Sequence, residues 1–219
     1  KGDPIAYKFY DKYGNVIKEG EKSRGKFQYI AYTPEGIKKT EGEYLLDGGK
    51  DGKWKYYTDY GYLKTVANYE DTEINGDKMG YYSDGSLSYK SPYKNGKQEG
   101  YYEEFFPDGT IKQKGWYKDG KAERIWHLYH EDGTLATRNF YFRGELSGTQ
   151  YYYSVDGKLI RTNYYKDGIH ISSNYYDMDS NLVDSANYFS NGTVVRHYPD
   201  GKKLSEGNYP NGYAHGTFN

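Results

Sequence analysis

The chain has 219 residues, a formal net charge of −1 and no cysteine, which excludes disulfides and thiolate metal sites. Its balanced charge argues against a nucleic-acid partner and against an anionic membrane surface, because both need clustered Lys and Arg. No apolar run approaches the roughly 18 residues of a membrane span. The 31 tyrosines supply apolar surface, so we expect a folded protein with a thin, tyrosine-rich core.

Glycines divide the chain, from its N-terminus, into about nine units of about 24 residues. The first turn of each unit is marked by Gly14, Gly36, Gly61, Gly85, Gly109, Gly133, Gly157, Ser180 and Gly201. The second turn is assigned to Gly25, Gly48, Gly76, Gly96, Gly120, Gly144, Gly168, Gly192 and Gly212. Tight turns at this spacing predict hairpins. Their repetition predicts a single repeat domain over residues 1–219.

Apolar residues keep a fixed register with the first turn. The column four residues before it consists of Tyr10, Tyr32, Tyr57, Tyr81, Phe105, Tyr129, Tyr153, Tyr176 and His197. An aliphatic residue stands two residues after the turn in most units, as at Leu63 and Leu87. The column eight residues after it consists of Tyr44, Tyr69, Tyr93, Tyr117, Tyr141, Tyr165, Tyr188 and Tyr209. In stacked hairpins these columns would form ladders of cross-strand pairs.

Each unit therefore has the pattern strand, turn, strand, turn. This pattern predicts an all-β fold, an elongated single-layer antiparallel sheet built from about nine tandem β-hairpins. One hairpin cannot bury a face alone, whereas stacked neighbours can. Open sheet edges invite pairing, so an edge-mediated homo-oligomer is an alternative to a monomer.

Three segments carry a family resemblance: YKNGKQEGYYEEFFPDGTIKQKG at 93–115, YKDGKAERIWHLYHEDGTL at 117–135 and YPNGYAHGTF at 209–218. They resemble the MORN repeat (membrane occupation and recognition nexus), and more closely the bacterial MORN variant of antitoxin-like tandem-repeat proteins. The second glycine of that repeat is assigned to Gly52, Gly80, Gly100, Gly148 and Gly216. Arg124, Ser172 and Arg196 replace it elsewhere. The resemblance implies a twisted, curved sheet, a binding or scaffolding role that includes antitoxin or immunity functions, and no shared enzymatic activity.

The chain contains no catalytic motif of the Gly-x-Ser-x-Gly, phosphate-loop or Cys-nucleophile kind. We predict structural or surface roles for the histidines, which are His127, His130, His170, His197 and His215. The segment DMDSNLVDS at 177–185 has the alternating acids of a calcium loop, but Leu182 stands where that loop needs glycine. We therefore predict a protein that is not an enzyme and holds neither cofactor nor metal.

The predicted function is a repeat scaffold that binds a protein or peptide, because aromatic side chains are favoured at binding hot spots. The candidate binding surface is the central part of the aromatic column: Tyr57, Tyr81, Phe105, Tyr129 and Tyr153. The alternative is a carbohydrate or cell-wall module whose aromatic ladders stack sugars, although the chain has only three Trp. Lipid binding is not expected without a basic cluster or amphipathic helix. A first residue Lys1, without Met, favours an exported protein over a cytoplasmic one.

Overall fold

The computed structural model describes residues 6–21, 26–45, 47–188, 193–198, 200 and 202–208. The strands are β1 (Ala6–Tyr10), β2 (Val16–Glu21), β3 (Phe27–Tyr32), β4 (Lys38–Tyr44), β5 (Lys50–Tyr57), β6 (Leu63–Glu70), β7 (Glu73–Tyr81), β8 (Leu87–Lys94), β9 (Lys97–Gln98), β10 (Gly100–Phe105), β11 (Ile111–Lys118), β12 (Lys121–Tyr129), β13 (Leu135–Phe142), β14 (Glu145–Leu146), β15 (Gly148–Tyr153), β16 (Leu159–Lys166), β17 (Ile169–Tyr176), β18 (Leu182–Tyr188), β19 (Thr193–His197) and β20 (Lys203–Asn208). These ranges contain no helix, and hence none that could span a membrane.

The strands pair as antiparallel hairpins along the chain, which confirms the predicted all-β fold. β1 pairs with β2, and the other eighteen strands are assigned to one antiparallel sheet. The chain forms two compact units. The first comprises Lys1–Ile111 and Tyr117–Gly120, and the second comprises Lys112–Trp116 and Lys121–Asn219. A single repeat domain over residues 1–219 stays a prediction.

In the eight repeats whose first-turn residue is described, a residue in the left-handed region closes that turn. At Gly85, where φ is +89°, the N–H donates to the carbonyl of Tyr82 at 3.0 Å. The Tyr82 N–H in turn donates to the carbonyl of Ser86 at 2.9 Å. The same geometry occurs at Gly14, Gly36, Gly61, Gly109, Gly133 and Gly157. Ser180 keeps it despite its side chain, with φ of +64°, and Gly201 lies outside the described residues.

A β-bulge lies next to the first turn in eight hairpins. In one hairpin Tyr57 pairs with Leu63 and Tyr56 pairs with Thr65, so Lys64 has no residue opposite. The same shift recurs in seven other hairpins. Because two residues oppose one, the bulge increases the local twist of the strands. In six of these eight hairpins the bulge makes the aromatic column residue and the aliphatic residue direct cross-strand partners, whereas Tyr32 pairs with Lys38 and His197 with Lys203.

Most of the described second turns are two-residue type I′ turns, in which both central residues have positive φ. Asn95 and Gly96, for example, have φ of 48° and 73°. The same dipeptide turn occurs at Asp119-Gly120, Arg143-Gly144 and Asp167-Gly168. The turn at Gly48 is longer, because Tyr44 pairs with Lys50 and the Leu45 N–H donates to the carbonyl of Gly49 at 2.7 Å. Gly25, Gly192, Gly212 and Gly216 lie outside the described residues.

One second-turn assignment is wrong. The turn placed at Gly76 lies instead at Asp71-Thr72, where both φ values are positive and Glu70 pairs with Glu73. That turn contains no glycine, so a glycine pattern passes over it to the next glycine along the chain. Gly76 instead occupies the second-glycine position that Gly80 was predicted to hold. It has the positive φ that Gly52, Gly100 and Gly148 have at the same position of their repeats.

The two faces of each unit differ in what they carry. One face carries the buried tryptophan, Trp54 in the first unit and Trp126 in the second, and is called the Trp face. The opposite face carries the aromatic column and is called the column face. On the Trp face, large rings lie over small residues of a neighbouring strand. A Cβ added to Gly42 would come within 2.3 Å of the Trp54 ring, and one added to Gly115 within 2.1 Å of Trp126.

Candidate functional site

The five predicted site residues lie on the column faces, and all are half-buried. Tyr57, Tyr81 and Phe105 belong to the first unit, whereas Tyr129 and Tyr153 belong to the second. The structure therefore distributes them over both compact units. A binding role for the column stays a prediction.

Tyr57 is hydrogen-bonded to a cluster of charged side chains in the first unit. Its hydroxyl donates to Glu41 Oε1 at 2.6 Å, and the same carboxylate accepts from Lys38 at 2.8 Å and from Lys55 at 3.1 Å. Burial alone would raise the pKa of Glu41, but these three hydrogen bonds outweigh it and lower the pKa to about 2. Burial raises the pKa of Tyr57, and its bond to Glu41 raises it further. Tyr57 is therefore held as a neutral donor to a carboxylate.

The backbone carbonyls of two further column residues, Phe105 and Tyr153, are contacted by polar side chains of the preceding repeat. Tyr82, next to the column residue Tyr81, donates its hydroxyl to the carbonyl of Phe105 at 2.7 Å. His130 Nε2 lies 3.1 Å from the carbonyl of Tyr153 in the second unit. Both contacts join one repeat to the column residue of the next. His130 thus has a structural contact, and His215 lies outside the described residues.

An exposed apolar patch lies on the column face of the second unit. We call it the Phe140 patch, and its members are Ile125, Phe140, Phe142 and Tyr164. Ile125 pairs with Phe140 across β12 and β13, and Phe142 lies two residues further along β13 on the same side. Phe140 is 40% exposed and Phe142 54% exposed. These rings therefore offer apolar surface to solvent.

A shallow depression of about 250 Å³ adjoins the Phe140 patch. Ile125, Phe140, Thr149, Tyr151 and Arg138 are among the residues that line it. The Arg138 guanidinium lies 5.3 Å from the centre of the Tyr151 ring, which is a cation–π distance. Thr149 pairs with Tyr164 on the next strand, which connects the depression to the last member of the patch. The depression thus combines rings, a cation and a hydroxyl.

The column face of the first unit also has a depression, and more charged side chains line it than line the depression beside the Phe140 patch. Its depression, of about 410 Å³, is lined by Gln28, Ile30, Glu41, Gly42, Glu43, Lys53 and Lys55. Lys26 contacts Glu43 at 3.6 Å and Asp51 at 2.5 Å at the edge of this region. Ion pairs of this kind, half exposed to solvent, contribute little to stability. The depression of the first unit is therefore a poor match for an apolar ligand.

A lysine enclosed by aromatic rings lies on the Trp face of the first unit. The Lys50 ammonium is 4.5 Å from the ring centre of Trp54, 5.1 Å from that of Tyr69 and 5.2 Å from that of Tyr56. It also donates to the Tyr56 hydroxyl at 2.8 Å, and that hydroxyl lies 3.0 Å from the Tyr69 hydroxyl. We call the three rings the Lys50 cage.

His170 lies in a comparable setting on the Trp face of the second unit. Its ring is stacked between Tyr165, at 4.8 Å, and Tyr188, at 4.3 Å. Nε2 lies 3.0 Å from the hydroxyl of Ser173, which donates to Asn163 Oδ1 at 2.9 Å. Burial, and then the charge of Arg161, lower the pKa of His170 against the opposing effect of the Ser172 carbonyl. No cluster of three metal-ligating side chains occurs within the part of the chain that the structure describes.

Sequence reasoning missed both the Phe140 patch and the Lys50 cage. The patch had a periodic trace, since Trp116, Phe140 and Tyr164 follow the first turn by seven residues in three consecutive units. The cage had none of comparable strength. Lys50 is the cross-strand partner of Tyr44, which belongs to the tyrosine column eight residues after the first turn. In other hairpins the partner of the column tyrosine is Ile74, Gln98 or Leu146, so a lysine is not repeated at this position.

Comparison of the chain with protein-family models and with curated proteins finds no match. Three of the solved structures that it resembles are at most 13% identical. The GtfA/B complex bound to UDP and GlcNAc is 12% identical, with a TM-score of 0.22 over 57% of this chain and 23% of that chain. The accessory secretory protein 1, 2 and 3 structure from Streptococcus pneumoniae is 13% identical, with a TM-score of 0.20 over 58% and 19%. The TcdB2-TccC3 structure without its hypervariable C-terminal region is 11% identical, with a TM-score of 0.25 over 88% and 14%. The chain thus spans less than a quarter of each of those chains, and likenesses at these TM-scores carry no argument.

Proposed function

We propose that this chain is a non-enzymatic repeat scaffold that binds a protein or peptide partner through the Phe140 patch. The observation that carries the proposal is the exposure of Ile125, Phe140, Phe142 and Tyr164 on the same face of β12, β13 and β16. Contiguous exposed apolar surface marks interaction sites. Interface cores are enriched in aromatic residues and Arg, which matches the Arg138 and Tyr151 pair beside the patch.

The resemblance to bacterial MORN variants supports a scaffold role and suggests a narrower form of it. In that form the partner is a toxin-like protein that the chain neutralises as an antitoxin or immunity protein. A coding sequence for such a protein beside that of this chain would favour the narrower form.

The experiment captures partners on the purified, immobilised chain, and then measures binding of each candidate, itself purified, by calorimetry. The double variant Phe140→Thr/Tyr164→Thr removes two rings and replaces them with β-branched residues, which suit strands. We expect it to weaken binding at least about tenfold, as loss of hot-spot residues does. The matched control is Tyr62→Thr, which removes an exposed ring of the first unit. A partner that binds all three proteins equally, or the lack of any saturable partner, would contradict the proposal.

A second candidate is carbohydrate binding in the first unit. Tyr13 and Tyr60 precede the turn glycines Gly14 and Gly61, where other units have Asp84 or Asp108, and they are 79% and 84% exposed. Rings that are this exposed could stack on sugar faces. A glycan array with the wild type and with Tyr13→Asp/Tyr60→Asp tests the candidate. A glycan bound by the wild type and lost in the variant supports it, and uniformly negative arrays rule it out.

A further inference from the structure

We propose that the Lys50 cage is a binding site for ligands that carry a trimethylammonium group, and that the Lys50 ammonium is a tethered occupant that such a ligand displaces. The site lies on the Trp face of the first unit, whereas the proposed protein-binding patch lies on the column face of the second. The two proposals therefore stand or fall separately.

The number of rings around Lys50 distinguishes it from other cations. Cations within about 6 Å of a ring centre are attracted by the negative face of the ring. Lys38 and Lys78 each lie over one ring within the described residues, at 5.6 and 5.8 Å. Lys50 lies within 5.2 Å of three rings. An arrangement of several rings around one cation is the arrangement that recognises quaternary ammonium groups.

The charge of Lys50 is offset by rings rather than by a carboxylate. The Lys50 ammonium forms no ion pair with any described residue, and its one hydrogen-bond partner among them is the Tyr56 hydroxyl. Burial raises the pKa of Tyr56, and burial with the Tyr56 hydrogen bond raises that of Tyr69 to about 12, so both hydroxyls are neutral at physiological pH. A trimethylammonium group needs no acceptor and is less strongly hydrated than a primary ammonium. It can therefore replace Lys50 without leaving a buried carboxylate unpaired.

The position of Lys50 allows its displacement. The side chain is half-exposed, so its flexible stem can swing out into solvent. The fold also accepts other residues at the equivalent position, with Gln98 and Leu146 pairing in the same way with Tyr93 and Tyr141. The Trp54 ring is held independently of Lys50, because its Nε1 donates to the carbonyl of Glu43 at 3.0 Å and it lies over Gly42.

The first experiment follows the Lys50 side chain by NMR in the full chain labelled with [ε-¹³C]lysine. Ring currents should shift the Lys50 ε-CH₂ resonance upfield of the other lysines, and its absence in Lys50→Ala assigns it. Tetramethylammonium chloride, added against sodium chloride at equal ionic strength, should move the resonance to the position of an exposed lysine. A resonance that starts at the exposed position, or that does not move, overturns the proposal.

The second experiment compares binding to the wild type and to Lys50→Ala by calorimetry, with circular dichroism to verify the fold. Choline should bind the variant at least about tenfold more tightly, because no tethered cation competes for the rings. The neutral isostere 3,3-dimethylbutan-1-ol should bind neither protein. Lys78→Ala, which uncovers a single ring, should match the wild type. If Lys50→Ala does not fold, Lys50→Gln, which carries the residue found at Gln98, replaces it.

Two sources of the trimethylammonium group are distinguished by separate arms. Phosphatidylcholine vesicles present it as a lipid headgroup, and a peptide with trimethyllysine presents it as a modified side chain. Binding of either that is lost in Tyr69→Leu supports the cage and identifies the source. A folded Lys50→Ala protein that binds choline no better than the neutral isostere overturns the proposal.

Discussion

Two regions of the Trp faces pack the same strand positions in different ways: the region around Trp54 in the first unit and the region around Gln150 in the second. Trp126, also in the second unit, lies over Gly115 as Trp54 lies over Gly42. In the first unit, Trp54 contacts the rings of Tyr29, Tyr44, Tyr56 and Tyr69 at centre distances of 4.8 to 6.3 Å. Four 24-residue repeats further along the chain, the position of Trp54 holds Gln150 and the position of Ala67 holds Asn163. Both polar residues are buried.

The difference shows that the turns and bulges, rather than one type of core residue, maintain the strand geometry. Rings stabilise the region around Trp54 through apolar burial, whereas the region around Gln150 buries polar groups that are hydrogen-bonded. Phe140 donates its N–H to Gln150 Oε1 at 2.8 Å, for example, and Gln150 Nε2 donates to the carbonyl of Ser147 at 3.1 Å. Apolar burial and hydrogen bonding respond differently to truncation and to pH, which makes the comparison testable.

The largest effect is expected from Trp54→Ala. The variant removes a side chain that is fully buried and in contact with four rings, so the free energy of unfolding should fall by about 3–5 kcal/mol. Urea denaturation followed by circular dichroism measures it. Trp54→Phe, which keeps one ring over Gly42, is the control and should retain most of the stability. A loss below about 1 kcal/mol would show that the rings of the first unit are not its core.

A smaller effect is expected from Gln150→Ala in the second unit. Truncation leaves the Phe140 N–H and the Ser147 carbonyl without their partner, which costs about 1–3 kcal/mol. The control is Gln28→Ala, because Gln28 is exposed, and its effect should lie within about 0.5 kcal/mol. Equal losses for Trp54→Ala and Gln150→Ala would remove the energetic distinction between the Trp54 region and the Gln150 region.

The first turns could be predicted from sequence because their signature is local. Glycine is favoured where φ is positive, as at Gly85 and Gly133, and the spacing of these glycines is visible in the sequence. The Asp71-Thr72 turn was missed because it reaches the same φ values without glycine. The bulges were missed because they leave no residue signature, as the different residues Lys64 and Ala136 at the extra position show.

The site was less accessible to prediction than the fold. The aromatic column was identified as repeated residues, but whether a ring such as Phe140 stays exposed depends on what its neighbours leave uncovered. The same position in other units holds Asn68 or Pro92, so periodicity alone could not single it out. The Lys50 cage depends on three-dimensional ring positions around a residue whose column is not aromatic. Neither site follows from hydrophobic pattern alone.

The third prediction concerns Ser180, which holds the first-turn position that glycine holds in the seven preceding repeats. Its φ of +64° is unfavourable for a residue with a Cβ by about 1–2 kcal/mol. Ser180→Gly relieves this strain, but the greater conformational freedom of glycine in the unfolded chain offsets part of the stabilisation. The variant should therefore raise the free energy of unfolding by about 0.5–1 kcal/mol. Ser83→Gly, in a turn residue without positive φ, should lower it instead. Equal signs for the two variants would contradict the strain at Ser180.

The smallest effect is expected from mild acid, and it should separate the two units. The pKa of His170 is lowered in the folded chain, so its stabilising contribution is present above the unfolded value near 6.5 and is lost as the pH falls through the folded value. His127, whose pKa is lowered by burial and by Lys114 and Arg138, has the same sign. Glu41 of the first unit contributes stability above about pH 4.5 that is lost only as the pH falls to about 2.

Between pH 6.5 and pH 5, amide hydrogen exchange should therefore accelerate in β16–β18 of the second unit but not in β4–β6 of the first, after correction for intrinsic rates. Because His170 is only partly buried, solvent screens the effect and keeps it small. His170→Leu, which carries the residue found at Leu146, should reduce the pH dependence, with the remainder due to His127. Acceleration in both units alike, or a variant as sensitive as the wild type, would show that the stacked histidine does not set the acid response of the second unit.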